Sequence, residues 1–375
     1  MIPVNKPHIS KNAVKYVTEC VKTGWISSSG SYIKTFEENF AKFIGVKHAI
    51  TTTSGTAALH LALLALGIKK GDEVILPSHT MIASAAAVVY TGATPVLVDV
   101  ERDTWNMNVK QIESKITKRT KAIMPVHIYG LPVDMDGILK LAKKYKLYVV
   151  EDAAESLGAK YHGKITGSLG TIGCFSFYAN KIVTTGEGGM VTTNSDKLAK
   201  RLRILKDLAH STKRRFLHNE IGYNYRMTNM QAALGVAQLE EVKKYIEKKE
   251  WMASIYKQRL SKIEGISLPV QNIKTTNVYW MYGILVENNF GITRDELMKK
   301  LLEKGIETRT FFIPMHRQPA LKKLGLYKGE RYPVSDEIGR KGLYLPSGLA
   351  ITKEEIDTIC KTIETIKKEI NQISE

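Results

Sequence analysis

Cysteine is scarce in this sequence, and long apolar runs are missing. The three cysteines, Cys20, Cys174 and Cys360, lie far apart among 375 residues, without the paired spacing of a zinc site or the density of a disulfide-stabilised domain. We therefore expect reduced thiols and no metal site. The apolar runs fall short of the roughly 18 residues that span a bilayer, and the N-terminal MIPVNKPHIS lacks the apolar core of a secretory signal. These absences predict a cytoplasmic protein without a membrane span.

Acidic residues are also few relative to basic ones, 37 against 55, which leaves a formal net charge of +18. Such an excess can indicate nucleic-acid binding when lysine and arginine cluster. Here the stretch Lys243 to Lys249 is flanked or interleaved by Glu240, Glu241, Glu247 and Glu250, which is typical of a solvated helix face. We therefore expect no nucleic-acid partner, although a basic field also attracts small phosphorylated substrates.

Short β-branched runs alternate with helical stretches from about residue 47 to 195, the pattern of an α/β domain with a mostly parallel sheet. The predicted strands are residues 73–76, 95–99, 121–127, 147–152 and 190–193. The predicted helices are residues 57–66, 80–91, 134–145, 196–206 and 228–249. The carboxyl ends of such strands are where ligands bind.

The pattern becomes looser after the long helix and predicts a smaller α+β domain from about residue 263 to 374, with helices at 294–304 and 353–370. We predict two domains, a large one over residues 1–250 and a small C-terminal one over residues 251–375.

Lys181 stands out among the many lysines because it lies between an apolar strand and a glycine-rich turn in FSFYANKIVTTGEGGMV. Partial burial there disfavours the ammonium form and lowers the pKa of the side chain. The resulting free amine is a competent nucleophile toward an aldehyde.

Two further elements precede Lys181 along the chain. Asp152 ends the predicted strand in LYVVEDAAESLGA, where its carboxylate can hold a pyridine nitrogen protonated, although it could also cap the following helix. The turn Ser54-Gly55-Thr56 opens a helix, whose first N–H groups suit a phosphate, although Ser and Thr are also ordinary N-cap residues. Each signal alone is weak, but their order along the chain is specific.

With these elements in this order, the chain resembles the sugar aminotransferases of the DegT/DnrJ/StrS family, which have the fold of type I pyridoxal phosphate (PLP) enzymes, similar to aspartate aminotransferase. The resemblance covers essentially the whole chain. The matching motifs are TSGTAALHLAL, PSHTMIASA, EDAAESLGA, SFYANKIVTTGEGGMV, GYNYRMTNMQAALGVAQLE and YLPSG.

The resemblance implies roles for individual residues of this chain. Lys181 would form the Schiff base with PLP and later move the proton between cofactor and substrate. Asp152 would pair with the pyridine nitrogen. Asn224 would reach the cofactor phosphate of the neighbouring subunit, which requires a homodimer with shared active sites. The residues implied to bind the phosphate within the subunit are Ser54, Gly55, Thr56 and Ser176.

Two cofactor positions depart from the family pattern. Met81 stands where an aromatic residue often covers the cofactor ring, and a polarisable thioether can replace it. Glu155 stands where glutamine often contacts the ring hydroxyl, and an ionised carboxylate would be repelled by a phenolate there.

The implied reaction takes an amino group from glutamate, passes through pyridoxamine phosphate, and aminates a nucleotide-linked keto-sugar. The segments NKIVTTGEGGMV, HIYGLPVDMD and IGYNYRMTN are most similar to members that aminate carbon 4 of GDP-4-keto-6-deoxymannose. UDP- or dTDP-linked 4-keto-6-deoxyglucose, a sugar 3-dehydratase and a non-catalytic regulatory member are the alternatives, and the lysine at position 181 argues against dehydration. The candidate substrate contacts are Trp25, Ser27, His79, Arg309 and His316.

Overall fold

Strands and helices alternate through the first half of the chain, as the sequence predicts. The computed structural model describes residues 1–211, 214, 216–271 and 273–374. Its helices are α1 (Lys11–Thr23), α2 (Ser31–Ile44), α3 (Gly55–Ala65), α4 (Ala83–Tyr90), α5 (Met135–Tyr145), α6 (Asp196–Lys206), α7 (Asn229–Glu240), α8 (Val242–Leu260), α9 (Arg294–Glu303), α10 (Pro319–Lys323), α11 (Pro333–Lys341) and α12 (Lys353–Ser374).

The strands that these helices cover belong to three sheets. They are β1 (His48–Thr52), β2 (Glu73–Pro77), β3 (Thr94–Val98), β4 (Thr120–Ile123), β5 (Tyr148–Asp152), β6 (Lys160–Tyr161), β7 (Lys164–Ile165), β8 (Ile172–Ser176), β9 (Gly189–Thr193), β10 (Ile266–Ser267), β11 (Thr275–Thr276), β12 (Tyr282–Val286), β13 (Arg309–Thr310) and β14 (Gly342–Leu345).

The largest sheet has the strand order β1-β9-β8-β5-β4-β2-β3. The pairings from β3 across to β8 are all parallel, while β9 is antiparallel to both of its neighbours. Every strand of this sheet except β9 therefore runs in one direction, which confirms the mostly parallel sheet. Strand β2 is buried along its whole length, as expected where helices cover both faces of a sheet.

A second, antiparallel sheet of order β10-β12-β14-β13 lies in the C-terminal part, with apolar residues of α8, α9 and α12 packed in its core. Strands β11, β6 and β7 form a small third sheet. The N-terminal residue Ile2 pairs with Ile306, so the chain start lies against the C-terminal part. Helix α8 runs through residue 250, and the division into two domains at that residue stays a prediction.

Several predicted elements have different bounds in the structure. The strand predicted over 121–127 ends at Ile123, because Pro125 cannot donate to a sheet ladder. The helix predicted over 80–91 begins at Ala83, and the residues before it form the loop that follows β2. The helix predicted over 228–249 is two helices that meet at Glu241, where φ is −99° and ψ is 0°.

The prediction of a solvated face over Lys243 to Lys249 is wrong for its last residue. Lys249 is only 2% exposed, because α8 turns this side toward the second sheet. Cys20, Cys174 and Cys360 are buried and unpaired, as predicted. Within the described ranges, no helix has the length and apolarity needed to cross a bilayer, and no cluster of side chains could hold a metal ion.

A buried carboxylate joins α2 to the edge of the central sheet. The N–H and hydroxyl groups of Thr51 on β1 both donate to Glu37 Oε1 at 2.9 Å. Arg203 and Lys206 of α6 reach Glu37 at 2.6 and 3.2 Å. Burial acts to raise the pKa of Glu37, but the two cations outweigh it and hold that pKa below its usual range.

We expect Glu37→Gln to lower the free energy of unfolding by about 2 kcal/mol at neutral pH, because it leaves Lys206 buried without its partner. A carboxyl with a lowered folded-state pKa stabilises the fold above its unfolded pKa and loses this contribution as pH falls. The difference from the unchanged protein should therefore shrink in acid. Urea unfolding at several pH values measures it, with Glu38→Gln as the matched control, since Glu38 is exposed on the same helix. An equal decrease in the free energy of unfolding for Glu37→Gln and Glu38→Gln would contradict this account.

Candidate active site

The loops that follow several strands of the central sheet meet at one edge and surround a cavity of about 380 Å³. The turn after β1 and the loops after β2, β5 and β8 contribute most of its wall, because strands that run in one direction end at the same edge. The C-terminal part closes the remaining side. The lining residues are Ser54, Gly55, Thr56, Leu59, Thr80, Met81, Ala83, Val126, Asp152, Ala154, Glu155, Ser176, Tyr178, Asn180, Lys181, Glu187, Trp280, Arg309, Phe312 and Tyr344.

The start of α3 forms one wall of the cavity. Ser54 caps this helix, its Oγ accepting the N–H of Ala57 at 3.1 Å. A Cβ at Gly55 would lie 2.7 Å from Cβ of Ser176, and one at Gly189 would lie 2.4 Å from the carbonyl oxygen of Ser54. Both glycines are therefore needed for this turn to pack against β8 and β9. First-turn N–H groups lack acceptors within a helix, so this wall suits an anion such as phosphate.

Asp152 presents a buried carboxylate at the end of β5 and is 5% exposed. Ser84 Oγ donates to Asp152 Oδ2 at 2.7 Å, and the N–H of Ala154 donates to Oδ1 at 3.2 Å. Burial raises the pKa of Asp152 despite these donors and the nearby Lys181. Sequence reasoning missed Ser84, because its contact joins residues 68 positions apart.

Lys181 lies in the loop after β8 with its Nζ 3.5 Å from the ring centroid of Trp280. The side chain as a whole is half-buried, but protein surrounds its ammonium group. Burial lowers the pKa of Lys181, while the carboxylates of Glu155 and Asp152 act in the opposite direction. This confirms the desolvated setting expected from its position between an apolar strand and a glycine-rich turn.

Glu155 is the second buried carboxyl group of the cavity. Its Oε2 accepts the N–H of Tyr129 at 2.7 Å. Burial raises the pKa of Glu155 well above its usual range, although the charge of Lys181 opposes this shift. The protonated form of this side chain is therefore far more accessible than that of an exposed glutamate.

The structure brings together all the cofactor residues that are predicted within one subunit, while Asn224, predicted to act on the neighbouring subunit's cofactor, lies apart from them. The side chain of Asn224 is exposed and does not line this cavity, and its Oδ1 accepts from Nε of Arg226 at 3.0 Å. The residues that do line the cavity are Ser54, Gly55, Thr56, Met81, Asp152, Glu155, Ser176 and Lys181.

Of the five predicted substrate contacts, Arg309 alone lines the cavity. Trp25 is 61% exposed, and Ser27 is exposed as well. Their backbone carbonyl groups accept hydrogen bonds from the side chain and the backbone N–H of Asn229 at 2.7 and 2.8 Å. These two residues lie beside the start of α7, outside the cavity.

The two histidines among the predicted substrate contacts are buried and do not line the cavity. His79 is 0% exposed, with Nε2 3.4 Å from the hydroxyl of Tyr129 and its ring packed against Phe311. Burial lowers the pKa of His79 to about 3, so it is a neutral core residue. His316 is also buried, and its Nε2 lies 3.0 Å from Oδ1 of Asp336.

Several cavity residues carry no clear sequence signal. Trp280 Nε1 donates to the carbonyl oxygen of Asn180 at 2.9 Å, which joins the C-terminal part to the Lys181 loop. Asn180 Oδ1 is buried and, among the described residues, has no hydrogen-bond partner. The aromatic run from Tyr279 to Tyr282 could have indicated a packing site, but not its contact with Lys181.

Comparison with known proteins agrees with this geometry. The sequence profile of the DegT/DnrJ/EryC1/StrS aminotransferase family matches residues 7–364. GDP-perosamine synthase of Caulobacter vibrioides is 46% identical over 366 residues, 97% of this chain and 98% of that protein. The same enzyme of Escherichia coli O157:H7 is 46% identical over 96% of this chain and 97% of that protein. The structure of Spr1654 from Streptococcus pneumoniae, in its PMP form, matches with a TM-score of 0.93 at 27% identity, covering 100% of this chain and 99% of that one.

We expect Asp152→Asn to raise the midpoint of thermal unfolding by a few degrees at neutral pH in protein stripped of bound ligands. A carboxyl whose folded-state pKa is raised binds more protons folded than unfolded, so its contribution to stability falls as pH rises through that window. The rise in the unfolding midpoint should therefore disappear in acid. Asp136→Asn is the control, because Asp136 is exposed and its pKa is lowered. Destabilisation by Asp152→Asn at neutral pH would show that burial does not dominate at this carboxylate.

Proposed function

The chain belongs to the DegT/DnrJ/EryC1/StrS aminotransferase family, and we propose that it transfers an amino group from glutamate to carbon 4 of GDP-4-keto-6-deoxymannose, giving GDP-perosamine. It is a PLP-dependent sugar aminotransferase with the predicted fold. The similarity to GDP-perosamine synthases over nearly the whole chain is the observation that carries the choice of substrate.

The residues around the cavity fit PLP. The glycines at positions 55 and 189 leave room at the start of α3, where added Cβ atoms would clash. A buried carboxylate at Asp152 has no cation within ion-pair distance among the described residues, so a protonated ring nitrogen would supply one. Asn180 also lines the cavity, and its buried Oδ1 accepts no hydrogen bond from the described residues.

PLP, when bound, supplies an electron sink for the bonding electrons released when a proton leaves the carbon that bears the amine. Asp152 would hold the ring nitrogen in its protonated form, and Ser84 keeps its carboxylate aimed by donating to Oδ2. The residues that would hold the phosphate are Ser54, Gly55, Thr56 and Ser176.

Lys181 would act first as a nucleophile and then as the group that moves the proton. Because burial lowers its pKa, a larger share of Nζ is the free amine at neutral pH than in an exposed lysine. The same nitrogen can take a proton from the substrate carbon and return it one step later. A histidine at position 181 could not serve as this amine, which favours amino transfer over dehydration.

Met81 and Glu155 would complete the cofactor site. Met81 lines the cavity with its side chain half exposed, so its thioether is available to cover one ring face. Because burial favours the protonated form of Glu155, this side chain can donate a hydrogen bond to a phenolate instead of repelling it. Glutamate can thus replace the glutamine that is common at this position.

Arg309 is the substrate contact that we keep among the five predicted from sequence. Its guanidinium group lies at the cavity rim, 3.6 Å from Glu307, and is more than half exposed. An arginine in this position can pair with the carboxylate of glutamate or with the diphosphate of the nucleotide sugar.

We also propose a homodimer with shared active sites. Asn224 lies outside the cavity of its own chain, so the predicted phosphate contact needs a second subunit. Two large apolar side chains in the segment that precedes it are exposed, Ile221 at 85% and Phe216 at 74%. Exposed apolar patches of this kind mark interaction surfaces.

Lys181→Ala should reduce amino transfer by at least about a thousandfold, because it removes both the nucleophile and the proton carrier. The assay incubates enzyme and glutamate with GDP-, UDP- and dTDP-linked keto-sugars and follows the amino sugar formed. We expect the GDP-linked sugar to be the preferred substrate. Lys164→Ala is the control, since Lys164 is exposed. Full activity of Lys181→Ala would refute the assigned role, and preference for a UDP- or dTDP-sugar would refute the substrate.

Mixing inactive Lys181→Ala with Asn224→Ala tests the shared site. A mixed dimer pairs an intact Lys181 with an intact Asn224 at one of its two sites, so random exchange should restore about one quarter of the sites. Each variant mixed with itself is the control. If the mixture stays as inactive as its components, Asn224 does not act across subunits.

A further inference from the structure

Lys249 is a buried lysine that the proposed reaction leaves without a role. It lies on α8 and is 2% exposed. Its Nζ donates to the carbonyl oxygen of Trp280 at 2.9 Å and to that of Ser347. Among the described residues no carboxylate lies within ion-pair distance of it, and burial lowers the pKa of Lys249 to about 7.

Burying an amine in this position lowers the stability of the fold, which indicates that its hydrogen bonds have a role. Removing a lysine from water without a counter-ion disfavours its charged form, and an apolar side chain of similar length would avoid that cost. The two carbonyl groups that Lys249 joins belong to loops far apart in the chain, at positions 280 and 347. The amine therefore fixes the distance between these loops and α8.

The loop that contains Trp280 contacts Lys181 and the residue before it. The indole ring of Trp280 lies 3.5 Å from Lys181 Nζ, and its Nε1 donates to the carbonyl oxygen of Asn180, the residue before Lys181. Lys249 holds the backbone of the same tryptophan. A continuous path of contacts thus runs from Lys249 through Trp280 to Lys181.

We propose that Lys249 is a positioning residue for amino transfer, which holds the backbone of Trp280 so that the indole ring lies over Lys181 Nζ. This inference rests on the proposed role of Lys181. The face of an indole ring attracts a cation, so the ring stabilises the ammonium form of Lys181 against the effect of burial. Lys249 thereby sets how readily Lys181 takes up a proton, without touching substrate or cofactor.

The test measures how fast the cofactor-free protein takes up PLP as a function of pH, followed by the visible absorbance that develops. Only the free amine of Lys181 reacts, so the profile rises through its pKa. Lys249→Met keeps the length of the side chain but removes its donors, and we expect it to move the midpoint about half to one unit toward lower pH. The value of kcat should fall several-fold while KM for the nucleotide sugar stays unchanged.

Lys248→Met is the matched control on the same helix, because Lys248 lies over the ring of Trp251 and not near Trp280. Its profile should equal that of the unchanged protein. Trp280→Phe should shift the profile in the same direction as Lys249→Met. The double variant should shift the profile no further than Trp280→Phe alone, because both changes act on the same contact, that of the Trp280 ring with Lys181.

Additive shifts, or an unchanged profile in Lys249→Met, would overturn the inference. If Lys249→Met does not fold, Lys249→Gln keeps one donor and should show a smaller shift in the same direction, whereas no shift would again refute the role. Failure of the unchanged protein to take up PLP would instead contradict the proposed function, so the two failures are distinguishable.

Discussion

The amine of Lys181 lies where burial and neighbouring charge act in opposite directions. Burial favours the neutral amine, whereas the carboxylates of Asp152 and Glu155 favour the ammonium ion, and the ring of Trp280 adds to their effect. A lysine with no carboxylate nearby would lose its proton too readily to act as an acid. A lysine in open solvent would hold its proton too firmly to attack an aldehyde. The role proposed for Lys181 requires both functions from one nitrogen, and this balance suits them.

Close backbone packing at the start of α3 depends on glycine. Ser54 approaches β8 and β9 only because positions 55 and 189 lack a Cβ. The last glycine of the GEGG segment that follows Lys181 therefore allows β9 to pack against the turn that opens α3. Strand β9 runs opposite to its neighbours β1 and β8, so it starts at the edge of the sheet where they end. The reversed strand thus places its first residue, Gly189, against the backbone of Ser54.

The C-terminal part of the chain completes a site that the central sheet begins. Trp280 donates a hydrogen bond to the loop of Lys181, and Arg309 and Tyr344 also line the cavity. Lys249 joins this part to α8 through backbone carbonyl groups. The excess of basic residues fits a substrate that carries a diphosphate, because a positive field raises the rate at which anionic ligands arrive.

The order of the turn Ser54-Gly55-Thr56, Asp152 and Lys181 was readable from the sequence and carried the resemblance to the family. In the structure each of them follows or ends a strand, and strands that run in one direction end at the same edge. Strands β2 to β5 and β9 and the helices α3 to α9 and α12 followed from local periodicity, whereas β1, the helices α1 and α2 and the strands of the two smaller sheets were not predicted. Contacts between distant segments were not readable: Ser84 on Asp152, Trp280 on Lys181, and the burial of His79, His316 and Lys249. Periodicity reports which face of an element is apolar, but only tertiary packing decides which polar side chain that face encloses and what it touches.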